Sequence, residues 1–217
     1  MTASVAIIDY GSGNLRSAAK AFERSALALK TGAVIEVTSD PERVRKATRI
    51  VLPGVGAFAD CAAGLRAVPG MTDVLEERVI KGGAPFLGIC VGMQLMATEG
   101  REKGNWPGLN WIAGAVVRLT PRGDLKVPHM GWNTLKFTQP HPLLANIPHG
   151  DEGLHAYFVH SYHYVPTGDD RLFATADYGQ AVTACIGRDN LFGTQFHPEK
   201  SQTLGLTLIE NFLEWTP

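Results

Sequence analysis

Hydrophobic and polar positions along the chain follow two rhythms, and the change from one to the other divides it. Val5 to Asp9 is a short apolar, β-branched run that ends in Gly-Ser-Gly-Asn, and Leu15, Ala18, Ala19, Phe22, Ala26 and Leu29 then recur at helical spacing. This predicts strand, loop, helix. The unit repeats with a strand at Ala33 to Val37, a short helix after Asp40-Pro41, a strand at Arg49 to Leu52, and helical spacing over Phe58 to Val68 and Thr72 to Ile80. Pro85 to Ile89 reads as another buried strand, followed by a helix from Val91 to about Thr98. Alternation of this kind predicts parallel strands joined by crossover helices on both faces of a sheet.

After Trp111 the period shortens to that of strands. Strands are expected at Ile112 to Leu119, Trp132 to Phe137, Ala156 to Val165 and Leu172 to Ala176. A hairpin of Ala181 to Ile186 with Leu191 to Phe196 across Gly187 to Asn190 follows, and an amphipathic helix from Leu204 to Trp215 closes the pattern. The fold class is therefore α/β, a mostly parallel central sheet flanked by helices with a β-rich second half. No repeat or low-complexity linker separates the halves, so residues 1–217 are expected to form one domain.

Composition narrows the function. A chain of 217 residues that is 45% hydrophobic can bury a sizeable core. Its net charge of −1, with both signs scattered, gives no footprint for nucleic acid or an anionic membrane. The start, MTASVAIIDYG, has no basic n-region, and no apolar run reaches the roughly 20 residues of a membrane span. A cytoplasmic protein is expected. Cys61, Cys90 and Cys185 are far apart and odd in number, which predicts reduced thiols.

One thiol has a special frame. In Gly88-Ile-Cys-Val-Gly92 it sits where a parallel strand hands over to a helix, the G-x-nucleophile-x-G elbow that needs residues without bulk on either side. The helix N-terminus there favours thiolate over thiol. Cys61 and Cys185 lack such a frame and read as core thiols. A cysteine nucleophile needs a base, and the base a group to orient it. In Gln195-Phe-His-Pro-Glu199, Pro198 ends the strand, so His197 and Glu199 fall just past its end and, one residue apart in extended chain, point the same way. Cys90, His197 and Glu199 thus form a candidate triad. Backbone N–H groups of Pro53-Gly-Val-Gly-Ala57, at Gly54 and Val55, and the N–H of Val91 are candidate oxyanion donors. No nucleotide-binding glycine signature is present and no cofactor is inferred.

Gly88-Ile-Cys-Val-Gly-Met-Gln94 together with Phe196-His-Pro-Glu199 resembles the class I (triad) glutamine amidotransferases, along the whole chain. Asp9-Tyr-Gly-Ser-Gly-Asn14, Pro53 to Phe58, Pro128-His-Met-Gly-Trp-Asn133, Tyr157 to Tyr162 and His197 to Ser201 resemble one branch of that family, whose members serve histidine biosynthesis. The resemblance implies hydrolysis of glutamine to glutamate and ammonia, and delivery of the ammonia to a (β/α)8 cyclase partner. It implies that Gln94, Glu102 and the backbone around His160, Ser161 and Tyr162 hold the amino-acid end of glutamine. It places Asn14, Trp132 and Lys200 near the partner-facing side. It also implies that the isolated chain is a poor glutaminase until its partner binds ligand, with the Gly54-Val55 peptide turning to complete the oxyanion hole.

Other readings stay open on the residues alone: a catalytically silent interaction module, a free-standing cysteine hydrolase, or a different triad glutaminase such as that of pyridoxal phosphate synthase. Metal binding is not expected, because His160 and His163 are spaced to fall on opposite faces of one strand. His129 reads as structural, and His141 and His149, beside prolines, read as exposed.

Overall fold

A computed structural model describes residues 3–217. β1 (Ser4–Ile8) and α1 (Leu15–Ala28) open the chain, followed by β2 (Val34–Thr38), α2 (Pro41–Lys46), β3 (Arg49–Gly54), α3 (Phe58–Ala67) and α4 (Met71–Leu75). A π-helical stretch, Glu76–Lys81, extends α4 before β4 (Phe86–Cys90) and the one-turn α5 (Val91–Gln94). The second half is made of β5 (Glu99–Gly100), β6 (Trp106–Pro107), β7 (Gly114–Arg118), β8 (His129–Thr134), β9 (Lys136–Phe137), β10 (His155–His160) and β11 (Tyr162–Pro166). β12 (Leu172–Asp177), β13 (Ala181–Arg188), β14 (Leu191–Thr194) and α6 (Gln202–Glu214) complete it.

The main sheet runs β2-β1-β3-β4-β14-β13-β12-β9. Pairing is parallel from β2 through β14 and antiparallel from there to β9. The second half therefore does not merely follow the first: β14 returns beside β4 and completes its central pairing. β3 and β4, at the centre, are buried along most of their length, as expected where helices cover both faces. The hydrophobic core joins Ile7, Ile50 and Phe86 of the first half to Phe158, Phe192 and Phe212 of the second. No helix of the described residues is long and apolar enough to cross a membrane.

Three expected elements come out differently. The helix from Val91 stops at Gln94, because Leu95, Met96 and Ala97 give their carbonyls to the N–H groups of Leu109, Trp111, Ile112 and Asn110 instead of to a continuing helix. The expected strand from Ala156 to Val165 breaks at Ser161: β10 pairs with β8, while β11 pairs with β7 in a separate four-stranded sheet. Likewise Trp132 to Phe137 is split between β8, which begins at His129, and β9 in the main sheet. A hydrophobic period reports which face is buried, not which neighbour supplies the hydrogen bonds, so it passes over such breaks.

Candidate active site

β4 ends at Cys90, a non-glycine residue at φ 55 and ψ −112. That conformation is costly and persists only where its surroundings enforce it. They do so here by contact. A Cβ at Gly92 would lie 1.8 Å from the Leu52 carbonyl oxygen, and one at Gly88 would lie 2.8 Å from the backbone of Gly92 and Met93. Both glycines of the elbow are thus required by close backbone approach. β3 lies alongside in parallel register, with Gly54 opposite Cys90.

His197 enters from the other side of β4, three residues beyond β14. Its backbone is braced twice: the N–H donates to Tyr157 O at 3.0 Å, and its carbonyl accepts from the Ser201 hydroxyl at 2.7 Å. The same Ser201 oxygen accepts the Tyr157 N–H at 3.0 Å. Pro198–Lys200 forms a 3-10 turn, so Glu199 reaches the imidazole by folding back rather than along the extended chain that the spacing suggested. The result is a bond between His197 Nδ1 and Glu199 Oε1 of 2.8 Å, with both side chains buried. Asn14, at the N-terminus of α1, does not cap that helix; its amide lies 3.5 Å from the same carboxylate oxygen.

The other imidazole nitrogen, Nε2, is buried without a hydrogen-bond partner, close enough to Cys90 for the sulfur to act on it. Burial is the largest influence on His197 and opposes its charge, yet Cys90 and Glu199 on either side outweigh it and push the imidazole up to about 10. The site therefore favours the charged imidazolium over the neutral ring.

Cys90 and His197 open on a cavity of about 320 Å³, at the small end of the range for ligand pockets. Val55, Val91, Gln94, Glu102 and the corner His160-Ser161-Tyr162 line it too. Gly54 sits behind, against Val91 and Gly92. Gln94 is fixed by an obligate acceptor. Its amide nitrogen donates to the Tyr162 carbonyl at 3.1 Å and to Gln195 Oε1 at 3.0 Å, which uses both of its hydrogens. The Gln94 oxygen is left as an acceptor for a ligand's N–H.

The corner itself is held by a one-way chain. The Tyr162 carbonyl accepts from His160 Nδ1 at 2.9 Å, so His160 Nε2 must accept from His129 Nδ1, 3.1 Å away. Burial holds His129 down at about 4 and His160 at about 3, leaving both rings neutral. His163 lies apart, with Nε2 3.5 Å from the Gln180 amide nitrogen. It is separated from His160 by the strand break rather than by alternation within one strand. His141, expected at the surface, is largely covered: its ring stacks on Phe192 at 4.4 Å.

Two site residues have unforeseen attachments. Glu102 Oε2 accepts the Phe58 N–H at 2.9 Å, anchoring the first turn of α3. The Val55 N–H, expected to face the sulfur, donates to Ser12 Oγ at 3.1 Å, while the Ser12 hydroxyl donates to Val55 O at 2.6 Å. In this conformation the Val55 peptide is not free to bind an oxyanion. Outside the cavity, half-exposed Trp132 meets the Tyr157 ring edge at 5.5 Å, and Lys200 Nζ lies over that ring at 5.6 Å. Sequence patterns do not single out Ser12, Ser201 or Gln195. Gln195 does carry a signal, since two residues before His197 in an extended run it shares that residue's face.

If Glu199 raises His197 as the geometry requires, Glu199→Gln brings its titration from about 10 down toward 6.5, measurable by NMR of ring-labelled histidine. A raised folded value means that the contribution to stability is full below about 6.5 and is lost as pH rises through about 10. Urea midpoints of the parent and Glu199→Gln chains should therefore converge between those values. A parallel offset throughout would show that Glu199 acts on stability without acting on the imidazole's charge.

The chain is similar to known proteins. The family model described as "Glutamine amidotransferase class-I" matches residues 6–215. The imidazole glycerol phosphate synthase subunit HisH of Mesorhizobium japonicum is 62% identical over 214 residues, covering 98% of this chain and 99% of that one. The protein of the same name from Rhodopseudomonas palustris is 59% identical over 215 residues, covering 99% and 100%. A glutamine amidotransferase of Thermotoga maritima, solved by crystallography, shares the fold, with a TM-score of 0.63 at 16% identity over 92% of this chain and 77% of that one. The chain belongs to the class-I glutamine amidotransferases and, within them, to the HisH subunits of imidazole glycerol phosphate synthase.

Proposed function

We propose that this chain hydrolyses glutamine to glutamate and ammonia at Cys90, as the glutaminase subunit of an imidazole glycerol phosphate synthase. Its partner in this reading is a (β/α)8 cyclase that uses the ammonia to make imidazole glycerol phosphate and an aminoimidazole carboxamide ribonucleotide in histidine biosynthesis. Residues 1–217 act as one domain in the cytoplasm. The observation that carries the reading is the buried Cys90, His197 and Glu199 constellation opening on an amino-acid-sized cavity, in a chain about 60% identical to HisH subunits.

The chemistry follows from the charges. The Cys90 thiolate attacks the side-chain amide carbon of glutamine, and the carbonyl electron pair moves to oxygen. His197 gives its proton to the amide nitrogen as the C–N bond breaks, releasing ammonia and leaving a glutamyl thioester. The same imidazole, now neutral, takes a proton from water; the hydroxide adds to the thioester, and C–S cleavage returns the thiolate and frees glutamate. Glu199 holds the ring in the tautomer that both steps need. The Gln94 oxygen and Glu102 take the substrate's ammonium, and the backbone at His160, Ser161 and Tyr162 orients its amino-acid end. Val91 and, once turned, the Gly54-Val55 peptide supply the oxyanion donors. Asn14, Trp132 and Lys200 lie toward the cyclase, beside the route by which unprotonated ammonia leaves.

Glutamate release by the chain alone and with its liganded cyclase partner tests this reading, with Cys90→Ala as the critical variant. The expected result is loss of all glutamine-dependent synthesis by the variant complex while synthesis from added ammonium salt persists. Glutamine turnover surviving in Cys90→Ala would remove this mechanism.

The bond pair between Ser12 and Val55 supports a resting state that restrains the isolated chain. Each such bond contributes about 1 kcal/mol. Ser12→Ala should raise partner-free glutamine turnover several-fold, up to roughly tenfold. Unchanged or reduced turnover would show that Ser12 does not restrain the peptide.

A further inference from the structure

Gln195 is fully buried, and its side-chain amide nitrogen lies 3.6 Å from Cys90 Sγ. Nothing in the triad chemistry above uses it. We propose that Gln195 is a functional side chain of the nucleophile: its amide donates a hydrogen bond to Cys90 sulfur, holds it in the attacking orientation and supports its negative charge. This rests on the reading of Cys90 as the nucleophile of glutamine hydrolysis.

The direction of the amide follows from an atom that cannot reverse its role. The Tyr162 carbonyl can only accept, so the Gln94 nitrogen must face it. That nitrogen's remaining hydrogen goes to Gln195, which must present its oxygen there, 3.0 Å away. The Gln195 nitrogen is thereby turned toward Cys90, and an NH2 group can only donate. The sulfur must accept, a role that a thiolate fills far better than a thiol. The segment carrying Gln195 is itself fixed, because its backbone N–H donates to Ala184 O at 2.9 Å on the neighbouring strand.

Cys90 sulfur thus has a hydrogen-bond donor in Gln195 and a proton carrier beside it in His197, and the two differ in one respect: His197 surrenders its proton during the proposed reaction and Gln195 does not. A permanent donor keeps the sulfur in place while the imidazole cycles. The same rod of amides runs from the sulfur to Gln94, which lines the cavity, so the nucleophile and the substrate's anchor are set by one hydrogen-bonded chain.

The experiment is the pH profile of Cys90 alkylation by iodoacetamide, located by peptide mass mapping, in the parent, Gln195→Met and Gln195→Glu chains. Methionine keeps the volume without a donor, and glutamate turns an oxygen toward the sulfur. Around Cys90 stand His197 with Glu199 behind it, Glu102 and His160 in the cavity, and Tyr10 and Cys61 beyond Gly54. Burial keeps Tyr10 and Cys61 protonated and His160 uncharged near neutrality, and His197 carries its proton there.

Both variants should shift the alkylation profile alkaline by about one pH unit and slow alkylation at pH 7 roughly tenfold, the size of one hydrogen bond to a charged group. In the liganded complex kcat should fall by a similar factor, with KM changed less than about twofold. A folded variant with an unmoved profile overturns the proposal, and so does a fall in kcat without a shift, which would mark Gln195 as packing alone. If neither variant folds, the parent decides: the assigned Gln195 amide protons must move when iodoacetamide blocks Cys90, and their indifference overturns the proposal. Alkylation needs no glutamine. Failure of the parent complex to hydrolyse glutamine would therefore sink the function reading while leaving this contact separately testable.

Discussion

The site depends on the close approach of the β4–α5 turn to strand β3. There is room for no more than a hydrogen at Gly92, beside the Leu52 carbonyl, and the turn passes through a positive-φ residue at Cys90. That residue is the proposed nucleophile, so its strain coincides with its place on the cavity wall. Register carries the rest. β3 brings Gly54 level with Cys90, and β14 on the other side of β4 pairs Thr194 with Ile89, which delivers Gln195 and His197 to the same end of the sheet. Sites of parallel sheets lie beyond the carboxyl ends of their strands for this reason.

Charge is concentrated where the fold is least able to solvate it. A buried His197 opposed by desolvation stays protonated only because Cys90 and Glu199 stand on both sides of it. Burying such a group rarely adds net stability, since desolvation offsets much of the attraction. In the proposed mechanism its presence is stored chemistry: the proton that the leaving ammonia needs is already on the imidazole. The surrounding neutral polar groups have the opposite character. His129, His160, Gln94 and Gln195 carry no charge, and their bonds run in a fixed direction from one carbonyl, so they set geometry without competing for the proton.

Much of this is legible in the sequence, and the limits have physical causes. The elbow glycines and the run from Phe196 to Glu199 report local steric needs, which a sequence states directly, and the parallel first half follows from its alternating periods. The breaks at Ser161 and after Gln94 do not show, because they depend on which distant backbone accepts a hydrogen bond. The family resemblance places Asn14 on the partner-facing side; its contact with Glu199 joins positions 185 apart, a separation no local pattern encodes. The Ser12 bonds to Val55 are equally non-local. Gln195 is within reach of the period-two argument that finds His197, but an amide is common in strands and draws attention only when the sulfur lies beside it.

In the proposed reaction Cys90, set by that turn, forms a covalent bond to the substrate's acyl group. Acid quenching of the liganded complex during turnover of isotopically labelled glutamine, followed by peptide mass mapping, tests it directly. A labelled glutamyl thioester is expected on the peptide containing Cys90, and none on those containing Cys61 or Cys185. Steady glutamate release with no adduct on Cys90 in Glu199→Gln, a variant expected to slow thioester hydrolysis, as well as in the parent would contradict it.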